Sequence, residues 1–141
     1  MRIAVLALLS VALAGCAKSS QGTAASASAA ARNPASASDG GAVYLSNCSS
    51  CHQANGEGVA GAFPPLSGNP LVTGSPTAVI AIVKNGLDGR IVVNGHAYSG
   101  IMPRWSGVLS DEQIADAVTY IRGAWKNRAS GVSVADVQAI K

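Results

Sequence analysis

Cys48-Ser49-Ser50-Cys51-His52 sets two thiols three residues apart, with an imidazole directly after the second. Three residues is close to one turn of helix, so both sulfurs are presented on the same side. From there they can add to the two vinyl groups of a haem, and the next side chain can reach the iron as its proximal ligand. The C-x-x-C-H spacing therefore reads as covalent attachment of one c-type haem through Cys48 and Cys51, with His52 on the metal. Two other chemistries fit less well. Structural zinc takes about four ligands, and outside the motif the chain holds only Cys16 and His96 as further cysteine and histidine. A thiol-redox pair belongs near a βαβ pattern, which the flanking sequence does not show.

Met102 is the only methionine besides Met1, so it is the only thioether available as a second iron ligand. Met/His ligation raises the haem reduction potential, and Pro103 would stiffen the backbone that holds the sulfur. His96 is the rival ligand, but it stands beside a tight turn, where histidines are usually exposed to solvent. Phe63-Pro64-Pro65-Leu66 is a stiff extended segment. Two readings of it stay open. One of its carbonyls accepts the His52 Nδ1–H and orients the ring, or the prolines only rigidify a loop. Arg90, Arg104 and Trp105 are candidate partners for the haem propionates.

The elements that must position these groups are legible in order. Gly40, Tyr44 and Leu45 lead into Cys48 on a first helix, and Gly56, Gly58 and Gly61 mark a loop around the proximal haem edge. Ser75-Pro76 predicts the start of a second helix over 77–85 with Ser75 as N-cap and Gly86 as stop. Val79, Ile80, Ile82 and Val83 form its apolar face. Ile91-Val92-Val93, Asn94-Gly95 and His96-Ala97-Tyr98 predict a hairpin with a type I′ turn. Ser110 and Gln113 form a capping box, after which Ile114, Ala117, Val118, Ile121 and Trp125 fall at helical spacing, with Arg122, Lys126 and Arg128 near the end. Ser133 predicts the cap of a short final helix through Ile140.

A chain of 141 residues suits one domain. Only six aromatic residues are present, so a buried porphyrin would supply missing core volume. Met1 to Gly15 reads as a signal peptide, with Arg2 as its positive region and an apolar run from Ile3 to Ala14. That run has twelve residues, short of the ~20 that span a bilayer. Leu13-Ala14-Gly15-Cys16 resembles a bacterial lipobox, which predicts a lipidated Cys16; the competing reading is an ordinary secretory signal beside a stray cysteine. Residues 16–39 are Ala/Ser-rich without periodicity and read as a flexible tether. Loss of Arg2 leaves 9 Lys and Arg against 7 acids, a net +2, with no basic cluster. The haem propionates would bring that near zero, which argues against nucleic acid as a partner.

With C-S-S-C-H, Met102-Pro103 and a capped C-terminal helix in this order, residues 40–141 resemble a class I cytochrome c. More narrowly, the Val-Asn-Gly hairpin, the run from Tyr120 to Arg128 and the tail Val132-Ser133-Val134-Ala135-Asp136-Val137 resemble the terminal haem domain of cytochrome subunits of bacterial periplasmic alcohol and sugar-acid dehydrogenases. The resemblance implies a mostly α cytochrome c fold: three to five helices around one covalent haem c, with a small β-hairpin before the Met ligand. It implies a first helix that crosses the C-terminal helix near Ala117 and Tyr120. It implies Pro64 and Leu66 on the proximal side and a haem site of Cys48, Cys51, His52, Met102, Pro64 and Trp105. The function it implies is a monomeric, lipid-anchored electron carrier of the periplasm, with the outer membrane favoured because Ala17 rather than Asp follows Cys16. Its partners would be a dehydrogenase or quinol-oxidising donor and a terminal oxidase or reductase. The competing function is a haem enzyme or gas-binding protein with a labile Met102, although no distal His–Arg acid/base pair is in view.

Overall fold

The computed structural model describes residues 37–141. The signal peptide, the lipid site at Cys16 and residues 16–36 of the expected tether lie outside the described residues, and its last three residues, 37–39, are helical. Among the described residues, six helices and one hairpin follow in order: α1 (Ala37–Asn47), α2 (Ser49–His52), α3 (Pro70–Thr73), α4 (Pro76–Asn85), β1 (Leu87–Val93), β2 (His96–Met102), α5 (Asp111–Gly123) and α6 (Val134–Gln138). The mostly α expectation with one hairpin holds.

α1 begins at Ala37, ahead of Gly40 where the domain was expected to start, and carries Asp39 in its first turn, where a negative charge suits the helix dipole. It packs along α5. Gly40 is the reason the two helices can meet so closely. A Cβ placed there would lie 2.1 Å from the Asp116 carbonyl oxygen and 2.8 Å from Tyr120 Cβ. The expected crossing near Ala117 and Tyr120 is therefore present, with its tightest point at Asp116 and Tyr120.

α5 opens on the predicted capping box: Gln113 N donates to Ser110 Oγ and Ser110 N to Gln113 Oε1. Ile114, Ala117, Val118 and Ile121 are buried. Trp125 departs from the helical expectation. The helix stops at Gly123, and Trp125 sits in the left-handed region at φ 54°, a conformation that costs a non-glycine residue about 1–2 kcal/mol. Its ring is held against Tyr44 and Tyr120, with centroids 5.2 and 5.6 Å apart. α4 buries Val79, Ile80 and Val83 as predicted, while Ile82 is half-buried. Ser75 occupies the N-cap but makes no side-chain cap bond; only its carbonyl serves, accepting from Ala78 N at 3.2 Å. α6 is capped by Ser133 together with Asp136 and ends at Gln138 rather than Ile140.

The hairpin is longer than its β-prone core suggests, pairing Leu87 with Met102 through to Val93 with His96. Asn94 and Gly95 both have positive φ, 50° and 82°, as a type I′ turn requires.

Gly40→Ala should lose about 2 kcal/mol of stability in a denaturant titration, because the helix-propensity gain of ~1 kcal/mol is outweighed by overpacking against fixed backbone. Gly41→Ala should be near neutral, since its new methyl would meet only the Tyr120 ring edge at 3.3 Å. Equal effects at the two positions would refute the close-approach account.

Candidate haem site

Cys48 closes α1 and opens α2 at once. Its N–H donates to the Tyr44 carbonyl at 2.8 Å, and its own carbonyl accepts from Cys51 N at 3.2 Å and His52 N at 3.0 Å. That single turn brings Cys48, Cys51 and His52 to one cavity of about 330 Å³. Burial and the neighbouring Cys51 push the Cys48 thiol up to about 11, so in the free chain it is a protonated thiol at neutral pH.

His52 is only 8% exposed. Its Nδ1 lies 3.0 Å from the Pro64 carbonyl oxygen. A carbonyl can only accept, so Nδ1 carries the proton, and in the neutral ring Nε2 is left as a bare lone pair. Desolvation lowers the proton affinity of the ring and outweighs the opposing effect of the Pro64 bond, which keeps the imidazole neutral. Of the two readings of the proline segment, the carbonyl contact is therefore present. Gly58 makes it possible. At φ +64° it donates its N–H to the His52 carbonyl, and a Cβ there would lie 2.3 Å from Phe63 O and 2.7 Å from Pro64 O.

Met102 ends β2, is half-buried and lines the same cavity. Its backbone is held against the end of α4: a Cβ on Gly86 (φ +81°) would sit 2.7 Å from the Met102 carbonyl oxygen. Trp105 N donates to Val83 O and Ser106 N to Lys84 O, each at 3.1 Å, which fixes the segment after Met102. Pro64 and Trp105 line the cavity as well. His96, Arg90 and Arg104 do not; all three are exposed, and Arg104 donates to Ser106 Oγ at 3.2 Å.

Among the described residues no Lys, Arg, Asp or Glu lines the cavity. The rest of the wall is mainly apolar, with Val72, Val79, Val118 and Ile121 in it, and Asn47, Ser50 and Asn69 add uncharged polar groups. Facing glycines Gly89 and Gly100 form one cross-strand pair on the hairpin side, where an added Cβ would meet nothing within 4 Å. Two thiols, one neutral imidazole with a free Nε2, one thioether and a largely apolar, uncharged slot are the groups a covalently attached haem needs. The residues present fit it.

Three supporting residues escaped the sequence reading. Asn69 is buried, accepts from Leu71 N at 2.9 Å and donates to Pro65 O at 2.8 Å. The Asn69-Pro70 pair was a legible cap signal for α3. Asn127 accepts from Gly68 N at 2.8 Å and donates to Leu66 O and Ile121 O at 2.9 and 2.6 Å. Arg122 is buried and bonded to three carbonyls. No local pattern marks either of the last two, whose partners are set by tertiary contact.

The family model described as cytochrome c oxidase, cbb3-type, subunit III matches residues 35–121. The cytochrome c subunit of a quinone alcohol dehydrogenase from Gluconobacter oxydans is 42% identical over 105 residues, 72% of this chain and 22% of that subunit. Cytochrome c-552 of Thermus thermophilus is 40% identical over 91 residues, 62% of this chain and 68% of the relative. Cytochrome c6 of Leptolyngbya boryana is 34% identical over 87 residues, 62% of this chain and 91% of the relative. The chain thus spans about a fifth of the dehydrogenase subunits it matches. With one C-x-x-C-H on α2 and a cavity built to receive the ring, the chain belongs to the cytochrome c family of electron-transfer proteins and carries a single covalent haem c.

Proposed function

We propose that the protein is a lipid-tethered carrier of single electrons in the periplasm. In this reading Cys48 and Cys51 bind the haem, and His52 and Met102 ligate its iron. The haem supplies a one-electron Fe(III)/Fe(II) couple. The chain's own residues do the rest. Pro64 holds the His52 ring in one tautomer and one orientation. The hairpin and the end of α4 hold Met102, and the apolar wall keeps water from the metal, which favours the less charged reduced state. The observation that carries the assignment is the His52–Pro64 contact: it leaves Nε2 unprotonated inside a cavity that also takes Met102 and both thiols.

The donor and acceptor follow from chemistry and from likeness. Relatives that are cytochrome subunits of alcohol and gluconate dehydrogenases support a dehydrogenase as electron donor, with a terminal oxidase or reductase as acceptor. Contact with each would be brief, over less than about 1,200 Å² of buried surface. The apolar leader ending in Leu13-Ala14-Gly15-Cys16 supports export and lipidation of Cys16, with Ala17 favouring the outer membrane. An intact mass of the membrane-extracted protein should show Cys16 as the N-terminal residue with two acyl chains on its side chain. A mass without them removes the anchor and leaves the carrier standing.

The visible spectrum tests the ligands. The ferric protein should show the weak red charge-transfer band of a Met–Fe(III) bond and react slowly with cyanide. Met102→Ala should lose the band and bind cyanide at once. A band that survives this substitution, or wild-type protein that binds cyanide immediately, would refute Met102 as the ligand.

Stability should depend on pH through His52. Its proton affinity is lower in the folded chain than in the unfolded one, so the unfolded chain takes up the proton first as pH falls. Full stability is present above about pH 6.5, the ordinary histidine value, and declines as pH drops below it; iron on Nε2 acts in the same direction. Denaturant midpoints measured from pH 8 to pH 5 should fall on the acid side. A midpoint that rises on acidification contradicts a neutral His52.

A further inference from the structure

Arg122 stands in the last turn of α5 and is 3% exposed. Among the described residues it is the only Lys, Arg, Asp or Glu that is buried. Its Nε donates to the Ser130 carbonyl at 2.7 Å, and one terminal nitrogen donates to the carbonyls of Val72 and Gly74 at 2.7 and 3.0 Å. Those acceptors are neutral dipoles. They solvate the guanidinium and leave its net charge uncancelled. Desolvation lowers its proton affinity, but a guanidinium stays protonated in proteins.

The charge lies behind the cavity wall, not on it. Val72, whose carbonyl accepts from it, and Ile121, its neighbour in the chain, both line the cavity, and among the described residues no charged side chain lines it. Its field therefore crosses apolar side chains, where screening by water and salt is weak. Reduction adds one electron at the iron and moves no proton to or from the guanidinium. A fixed cation nearby lowers the energy of the reduced state relative to the oxidised one. We propose that Arg122 is a positioning residue for the redox reaction, a permanent buried positive charge that raises the reduction potential of the haem. This rests on the reading of the cavity as the haem site.

A guanidinium that merely staples α3 to the segment around Ser130 would contribute to stability and leave the potential alone. Potentiometric titration of the full, haem-loaded chain separates the two roles through three variants. Arg122→Gln should shift the reduced-to-oxidised ratio at a fixed solution potential at least about three-fold towards the oxidised form, or ~28 mV for one electron. Arg122→Lys keeps the charge and should retain the wild-type potential even where its unfolding midpoint falls. Ser130→Asp adds a counter-charge at an exposed position beside the guanidinium and should lower the potential with the buried side chain intact.

Lowered midpoints in both Arg122 variants, with potentials unchanged in all three, would overturn the proposal. Should Arg122→Gln fail to retain haem, an unchanged potential in Ser130→Asp overturns it alone. Wild-type protein without covalent haem would instead sink the site itself, a result that the visible spectrum reports before any potential is measured.

Discussion

The hydrogen bond from His52 Nδ1 to the Pro64 carbonyl is the contact on which the rest of the site depends. It links the helical turn that bears the thiols to the loop that returns after it. It also fixes which nitrogen of the ring is free. The bond needs Pro64 in one place, and the chain holds that segment from several directions. Val59 and Phe63 exchange backbone bonds at 2.9 and 2.8 Å, Asn69 takes the Pro65 carbonyl, and Asn127 takes Leu66 and Gly68. A ring oriented by a single carbonyl is only as well placed as the backbone behind that carbonyl.

Much of this support comes from residues after α5. Trp125 adopts a left-handed backbone and donates from Nε1 to the Ala54 carbonyl at 3.3 Å, and Gly56 approaches its ring too closely for any side chain. Lys84 donates to the carbonyls of Val137 and Ile140 at 2.9 and 2.7 Å and lies 3.7 Å from Asp111, tying α6 to α4 and the start of α5. Arg122, Asn127 and Lys84 each donate to backbone carbonyls 48 to 61 residues away in the chain. Among the described residues no buried side-chain nitrogen or oxygen lacks a partner. Buried polar groups that are fully paired give a core one arrangement and avoid the cost of an unmet bond.

The apolar core follows the same logic of scarcity. Of six aromatic residues, Tyr44, Tyr120 and Trp125 gather into one cluster with centroids 5.2 to 5.6 Å apart. That cluster joins α1, α5 and the segment beyond it. Elsewhere the interior is built from Val, Ile and Ala, and the helices enclose a slot instead of closing on one another. The ring that fills this slot is therefore part of the hydrophobic core as well as the working group.

Local sequence carried the parts of this protein that are set by short-range rules. The C-S-S-C-H turn, the Asn94-Gly95 hairpin, the Ser110 capping box and the Ser133 cap depend on neighbours within about four residues, so they could be read without a fold. Met102, the one thioether beyond Met1, was singled out by elimination, and the fold places it on the same cavity as the thiols. Trp125 was misread because its spacing continues the apolar stripe of α5 while the helix ends at Gly123, where packing against Gly56 and Tyr44 overrides periodicity. The roles of Asn127 and Arg122 were invisible because their partners lie up to 61 and 50 residues away in the chain. The choice of the Pro64 carbonyl as the His52 acceptor was also left open by sequence. What the sequence determined by itself was the covalent haem attachment, because it requires particular residue types at short spacing. What only the tertiary structure decided was the tautomer of His52 and the placing of a buried charge beside the cavity, because both depend on which distant backbone carbonyls the fold brings within hydrogen-bond reach.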